Sequence, residues 1–467
     1  MSGSAGPARV ELEGGGERWD VLLQGSRVMQ IRGLLPDTTY TVSVTIGTNT
    51  TRTTIESPPA PDWLPRMDVL VDEPDRVEPG LLLFAATPLD RPGSLVLALD
   101  EQLRVRWWLV ADATWSFATV SPTHALVGLV GGRIEERDWD GTLLRHFTDR
   151  PGAPEDLPLA RSLNHEAFPM EDGTVWSIAS ETVVFDTYPA SYQSLEPVGP
   201  PVDVEDTPVV RIGADGSEIS TWSLADRLDQ GRVTFNGIHL TPDGMDWVHA
   251  NAVVPDGLGG VVVSARNQDA LFRLDPEGDL DWILADPGGW EEPWASHLLR
   301  PVGELRWPYH QHGPQWSADR SMLVVFDNVD AGCNPYVECP AEPGGSRAVA
   351  YEIDPVERTV RQLWELDQTA TGPVMSHIFG NARELPLTGN VLATYGAVLE
   401  EDGVPNSDSG RGRASVRLVE WDPSDPGHPV RDLRLYSAAD DGAEGWQVYR
   451  SERFLPDWAG WPPRPTQ

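Results

Sequence analysis

The stretch Leu95-Val96-Leu97-Ala98-Leu99-Asp100, followed after a short turn by Arg104-Val105-Arg106-Trp107-Trp108, sets the theme of the chain. An apolar run, an Asp-led turn and a second run that closes on large rings read as a β-hairpin. The theme returns in Ile134 to Leu144, in Val209 to Gly216 with Trp222, and in Leu271 to Gly278 with Trp282. Two later copies are Ala350 to Asp354 with Trp364, and Arg417 to Pro423 with Leu435. A complementary theme precedes these hairpins, as in Pro169-Met170-Glu171-Asp172-Gly173-Thr174-Val175-Trp176-Ser177-Ile178 and Leu385 to Thr394. Two hairpins per unit and six units predict an all-β fold, a six-bladed β-propeller from about residue 68 onward. Most of the 19 tryptophans then have a place as rings wedged between neighbouring sheets. Helix is scarce: Asp226 to Asp229 and Pro293 to Leu299 are the candidates, both short. An unpaired terminal edge is a hazard, so Gly445 to Arg450 should pair with a strand from the first blade region and close the ring.

Residues 8 to 56 form a module of their own, with period-two alternation in Val21-Leu22-Leu23, Val28-Met29-Gln30-Ile31 and Tyr40 to Ile46. Leu34-Leu35-Pro36-Asp37-Thr38-Thr39-Tyr40 resembles the tyrosine-corner segment of fibronectin type III sandwiches, which implies a small β-sandwich here. Ser57-Pro58-Pro59-Ala60-Pro61-Asp62 is a stiff linker. The expected division is a small sandwich with its linker over residues 1–62 and a propeller over residues 63–467.

The 467 residues hold 72 acidic and 35 basic side chains, for a net charge of -37, and every basic one is Arg. So negative a surface repels nucleic acid and anionic membranes, so neither is an expected partner. The plain reading of the acid excess is a solvated surface; life at high salt or calcium at acidic loops are the others. No run approaches the roughly 18 apolar residues of a spanning helix. The opening Met1-Ser2-Gly3-Ser4-Ala5-Gly6 has neither the basic nor the apolar part of a signal peptide. Cys333 and Cys339, the only two cysteines, flank a Pro- and Asn-containing loop that suits a small disulfide and an oxidising compartment. Free thiols and a metal pair are the other readings, although metal ligands are not nearby in sequence.

A propeller brings residues far apart in sequence together at one end of its channel, which makes the histidines worth sorting. His165 follows Asn164. His249 and Asn251 are alternate residues of one extended segment, as are His310 and His312, and alternation points each pair to one side. Arg266 ends the apolar strand Val261 to Ala265, where a guanidinium must reach the channel or be paired. Singly, a histidine is more often a hydrogen-bonded structural residue than a catalyst. Four of them with an arginine, converging on one channel, suggest a site that grips an anion and attacks it. His124, His146, His239, His297, His377 and His428 have fewer supporting neighbours and read as structural or surface residues.

Asp246-Trp247-Val248-His249-Ala250-Asn251, Ser264-Ala265-Arg266-Asn267-Gln268-Asp269, Tyr309-His310-Gln311-His312 and Phe326-Asp327-Asn328 resemble the bacterial arylsulfotransferase family. The resemblance runs from about residue 80 to residue 455. It implies a six-bladed propeller with a small amino-terminal β-domain. It also implies transfer of a sulfuryl group from a phenolic sulfate ester to another phenol through a sulfated histidine, without a nucleotide sulfate donor. By this resemblance His312 matches the nucleophile, and His249, Asn251, Arg266 and His165 match the residues around the sulfuryl group. His310 and Trp247 are expected to contact substrate. The family implies a periplasmic or secreted protein from which a signal peptide has been removed. In better-known members a cysteine pair precedes the nucleophile segment, whereas Cys333 and Cys339 follow it.

The chemistry asks for these residue types. Sulfuryl transfer resembles phosphoryl transfer, with a loose in-line transition state that spreads charge over three equatorial oxygens. Arg266 offers a fixed charged fork, Asn251 an amide donor, and a protonated His249 or His165 a proton for the departing phenolate. A neutral His312 is the nucleophile, kept unprotonated by neighbouring cations. No cofactor or metal is expected; the partners are small aryl sulfates and phenols, and a homodimer stays open. A ligand-binding module without catalysis, a sulfate-ester hydrolase and a lyase are the alternatives, because fold alone does not decide chemistry.

Overall fold

The structure, a computed structural model, describes residues 7–24, 28–147, 162–192, 194–196, 199–330, 332–341, 344–405, 412–437 and 444–466. Each of the six hairpins expected from sequence is present. They pair Ser94–Leu99 with Val105–Ala111, Arg133–Arg137 with Leu143–Phe147, and Val209–Ile212 with Glu218–Trp222. The later ones pair Ala270–Leu274 with Leu280–Ala285, Arg347–Asp354 with Thr359–Leu366, and Arg413–Trp421 with Pro429–Tyr436. Every one carries a register shift, which adds local twist.

Each hairpin extends a leading pair of antiparallel strands. These leading pairs are Trp446–Phe454 with Leu81–Pro88, Trp115–Val120 with Leu126–Val130, and Ser162–Pro169 with Val175–Phe185. The others are Ala250–Pro255 with Val261–Ala265, His312–Trp316 with Leu323–Asp327, and Asn381–Glu384 with Val391–Glu401. The expected pairing of the carboxy-terminal segment with a strand of the first region is thus observed. The two ends interlock further, because Arg66–Asp72 adds to the far edge of the last of these sheets, against Pro429–Tyr436.

The leading strands converge, as links between them show. The Asn251 amide donates to the Gln311 carbonyl, Asn381 to the Ser451 carbonyl, the Tyr449 hydroxyl to the Asn251 carbonyl, and Arg450 to the His165 carbonyl. Gly313 sits where the backbones come closest: its φ is 49°, and a Cβ there would lie 2.6 Å from that of Asn381. Between sheets the core is apolar, for example Val253, Val263, Phe272 and Ile283 against Trp176 and Trp222. The helix candidates reduce to one short 3-10 turn, Trp294–His297; Asp226 to Asp229 forms a turn instead.

The amino-terminal module differs from the expected sandwich. Among the described residues it is a single five-stranded sheet in the order Arg464–Pro465, Glu17–Leu23, Ala8–Gly14, Thr39–Ile46, Asn49–Glu56. Its first strand comes from the far end of the chain. A second sheet is not needed to bury Val10, Leu12, Trp19 and Tyr40, since the coil around Met29, Ile31 and Leu34 and the ring of Trp461 cover them. The tyrosine-corner hydrogen bond is present: the Leu35 N–H donates to the Tyr40 hydroxyl at 2.9 Å.

This sheet is tied to the rest through Arg106, whose side chain is 1% exposed. Its guanidinium donates to Asp100 (2.6 Å), to Glu17 (2.7 Å) and to the Gly33 carbonyl (3.1 Å). Removing one member of a buried ion pair strands its partners' charge, at about 3–5 kcal/mol. Arg106→Met should lower the unfolding free energy by about that much in chemical denaturation, and adding Glu17→Gln should recover part of the loss. A loss below about 1 kcal/mol, the range of exposed pairs, would show that the cluster does not hold the module in place.

Candidate active site

Four of the leading strands have, within them or just before them, backbone that L-residues seldom adopt. His165 (φ 55°), His249 (45°), His310 (54°) and Phe379 (63°) are all left-handed, a conformation that survives only where surrounding contacts enforce it. The sheet registers slip beside three of them, between Asn164 and Ala167, Ala250 and Ala252, and His312 and Gln315. A left-handed residue breaks the two-residue alternation of a strand. His310 and His312 therefore do not share a face, contrary to the expectation from spacing.

His310 turns into packed structure. Its Nε2 lies 3.2 Å from the Phe235 carbonyl and from the Asn236 amide, and its Nδ1 lies 3.3 Å from the Asp330 carbonyl. Trp247 is also fully buried, its indole N–H donating to the Arg232 carbonyl at 2.8 Å and its ring edge-on to Phe185. Both were expected to touch substrate. Both instead shape the segments on which His249 and His312 sit.

His312 is buried, and its Nδ1 lies 2.7 Å from Oδ1 of Asn328 and 3.1 Å from the His310 carbonyl. The amide of Asn328 donates to the carbonyls of Ser376 (2.7 Å) and Phe379 (2.9 Å), so its oxygen is the atom facing His312. Two acceptors around Nδ1 require a proton there, and the neutral ring then keeps its lone pair on Nε2. Burial, then the charge of Arg266, holds the imidazole well below its usual pKa, against the pull of Asn328.

His249 is held by Asp246, whose carboxylate oxygen is 2.8 Å from its Nδ1. Burial pushes that carboxyl up, but the hydrogen bond and charge of His249, with Arg266, outweigh it and keep it below the usual range. His165 packs edge-on to His249 with ring centres 4.8 Å apart. Burial and then the neighbouring His249 lower it to about 3. Of the two histidines expected to carry a proton, His249 or His165, His165 is thereby set aside: an imidazolium is costly there beside other cations.

Arg266 ends its strand in a 3-10 turn. Its Nη1 donates to Asn267 at 2.8 Å, Asp330 stands 3.7 Å from its Nη2, and its buried Nε has no protein partner. Burial lowers its pKa against the pull of Asp330, Asp246 and Asp269. The amide nitrogen of Asn251 donates to the Gln311 carbonyl at 2.8 Å, while its buried Oδ1 is without a protein partner. One of its two amide hydrogens is thus taken by the backbone of the neighbouring strand. Gln311 binds its strand to the neighbouring sheet through Ser264, Ala265 and Ala270.

Four participants escaped sequence reading. Tyr449 presents its ring to His312 and His165, with centres 6.1 Å from each, but lies 137 positions after His312 with no spacing to betray it. Asn328 and Asp246 lie within stretches quoted for other reasons, and only the fold shows which histidine each serves. Asp330 stands between Arg266 and His377, 4.0 Å from Nδ1 of the latter. The loop after it is closed by a Cys333–Cys339 disulfide. Among the described residues, no group of three or more His, Cys, Asp or Glu side chains is placed to hold a metal ion.

The family model described as Arylsulfotransferase (ASST) matches residues 68–428. The chain belongs to the arylsulfotransferase family. It is similar to an arylsulfate sulfotransferase, AssT, of Escherichia coli O6:H1, 30% identical over 141 residues, and to the AssT of Lelliottia amnigena, 30% identical over 139 residues. Each match spans 26% of this chain and 23% of the relative, so the aligned stretch is under a quarter of those proteins' length. A solved protein of unknown function from Bacteroides caccae aligns over 80% of this chain and 98% of its own at 10% identity, with a TM-score of 0.43. That likeness carries no argument about this arylsulfotransferase-family chain.

The buried histidines make stability depend on pH. His165 takes a proton near pH 3 in the folded chain and near 6.5 once unfolded, so unfolding takes up a proton between those values. Stability should fall as pH drops below 6.5, with each such histidine adding about 1.4 kcal/mol per pH unit to the slope. Denaturant titrations from pH 7 to pH 4.5 should show this slope, and His165→Asn should flatten it by about one proton. An unchanged slope would place His165 in contact with solvent.

Proposed function

We propose that this protein transfers a sulfuryl group from an aryl sulfate ester to a phenol, with Nε2 of His312 as the nucleophile and a sulfohistidine between two half-reactions. One observation carries the reading: Asn328 and the His310 carbonyl both claim the Nδ1 proton of His312, and the lone pair is left on Nε2 in a pocket that Arg266 makes cationic. Family membership over residues 68–428 gives the reaction class.

In the first half-reaction the Nε2 lone pair forms an N–S bond as the aryl O–S bond breaks. The departing phenolate takes a proton from His249, which Asp246 orients. Arg266 meets the charge on the equatorial oxygens. In the second half-reaction the acceptor phenol returns a proton to His249 as its oxygen attacks sulfur and the S–N bond breaks. His312 regains its lone pair, and the net change is one aryl sulfate and one phenol exchanged for another pair. Splitting one transfer into two requires the first phenol to leave before the second binds, which gives ping-pong kinetics.

The same reading makes the six sheets over residues 63–467 the blades of one propeller, with residues 1–62 as an accessory β-module. It also puts the protein in an oxidising compartment, periplasmic or secreted, a reading supported by the Cys333–Cys339 disulfide.

Mixing with 4-nitrophenyl sulfate and digesting should give an acid-labile adduct of about 80 mass units on the peptide carrying His312, the mass of a transferred SO3 group. His312→Ala should abolish the adduct and turnover while its melting behaviour stays close to that of the unaltered protein. Arg266→Ala should slow transfer by about two to three orders of magnitude, as loss of an oxyanion donor does. Turnover by His312→Ala, or an adduct on His249, would overturn the assignment.

A further inference from the structure

Arg450 secures the backbone of His165 from a strand that is not its neighbour. It stands on Trp446–Phe454, which is joined to Trp115–Val120 through Glu452 and to Asn381–Glu384 through Ser451. The register of that strand slips between Val448 and Ser451, so that Tyr449 and Arg450 together oppose one residue of Leu81–Pro88. Such a bulge breaks the alternation that would send one of two consecutive side chains away, and here both turn inward. They reach past the adjoining strands: the Tyr449 hydroxyl donates to the Asn251 carbonyl at 2.8 Å, and Nη2 of Arg450 donates to the His165 carbonyl at 3.1 Å.

His165 needs such a partner. Its φ is 55°, and with Glu166 it falls where the ladder is interrupted between Asn164 and Ala167, so outside contacts must enforce its conformation. Arg450 is itself fixed: Nη1 donates to Oε1 of Glu166 at 2.7 Å, and the guanidinium lies 4.2 Å from the centre of the Phe117 ring. A planar fork can hold a carboxylate, a carbonyl and an aromatic face at once, which an ammonium cannot. On its other side is a cavity of about 330 Å³, walled by residues of all six leading strands, Arg450 and Glu166 among them, with the exposed Pro122 at its edge. His165, His249, Asn251, Arg266 and His312 do not line it, so the guanidinium touches this cavity on one side and the His165 backbone on the other.

We infer that Arg450 is a positioning residue for the transfer reaction: by clamping the His165 carbonyl it fixes the left-handed turn that presents the His165 imidazole to the ring of His249, 4.8 Å away between centres. The inference rests on the sulfuryl-transfer reading for its effect on turnover, and on geometry alone for its effect on His165. The hydrogen bonds of Arg450 go to Glu166 and to the His165 carbonyl, not to His312, Arg266 or Asn251. Its loss should therefore tell on kcat and leave the KM for aryl sulfate nearly unchanged. Of the charges facing His165, those of His249, Arg450 and Arg266 lower its pKa and that of Asp246 raises it, so losing Arg450 raises it.

The test uses the whole chain with 4-nitrophenyl sulfate as donor and phenol as acceptor. Arg450→Ala should lower kcat by about 10- to 100-fold, with KM within about threefold of the unaltered value. The vacated space adjoins the cavity and keeps the Glu166 carboxylate, so guanidinium far below unfolding concentrations should restore activity saturably, and ammonium at equal ionic strength should not. Arg450→Met with Glu166→Gln strands no buried charge; it should fold as the unaltered protein does, lose kcat equally and resist rescue. Nitrogen-15 NMR, with His165 assigned by its loss in His165→Asn, reads the clamp without turnover. The folded pKa of His165, about 3, should move up toward its ordinary value in both variants, and guanidinium should reverse the shift in Arg450→Ala. A missing adduct on His312 in the unaltered protein would refute the transfer reading, while the His165 shift would still uphold the clamp. An unmoved His165 titration in the folded double variant would overturn the clamp whatever happens to turnover, and a shifted titration with unchanged kcat would overturn its part in the reaction.

Discussion

A 2.7 Å hydrogen bond between Nδ1 of His312 and Oδ1 of Asn328 determines what the centre of the molecule can do. An imidazole has one proton to place when neutral, and this bond places it on the nitrogen that faces the protein. Asn328 cannot rotate to offer its other end, because its amide hydrogens are already given to the carbonyls of Ser376 and Phe379. Those carbonyls belong to the segment before the leading strand of the neighbouring sheet. The tautomer of His312 is thus set by how two sheets meet, which ties the proposed chemistry to the fold.

The same economy governs charge. The chain carries a net charge of -37, yet its buried centre gathers Arg266 and three imidazoles with Asp246, Asp269 and Asp330 among them. The acids keep the guanidinium charged despite its burial. Desolvation and neighbouring cations keep His312 and His165 neutral. His249 alone of the three has a carboxylate against its Nδ1. Environment, not residue type, therefore sets the three histidines apart, as the proposed division into nucleophile, acid–base partner and neutral wall requires.

The hairpins were legible in the sequence because alternation and turn chemistry are local, and Leu95 to Trp108 pairs as its pattern demands. The pairing of Trp446–Phe454 with Leu81–Pro88 was legible because an exposed edge has to be satisfied. The site was legible only in its residue types. His310 misled because spacing assumes regular strand, and nothing in a histidine announces a φ of 54°. Trp247 misled because an aromatic beside a catalytic motif reads equally as a contact or as core. Tyr449 and Asn328 were invisible as site residues since their roles come from contacts between sheets far apart in sequence. The amino-terminal sandwich failed for a related reason: the strand Arg464–Pro465 that completes its sheet lies at the other end of the chain.

The central claim is that folding presents His312 as a neutral imidazole with its proton on Nδ1. Nitrogen-15 NMR of protein labelled at its ten histidines measures this directly, since the two ring nitrogens of a neutral tautomer differ widely in shift and the resonance of His312 is identified by its loss in His312→Ala. The account predicts a Nδ1-protonated, uncharged His312 at pH 7 that stays uncharged well below pH 6.5. A Nε2-protonated ring, or an imidazolium at pH 7, would contradict it.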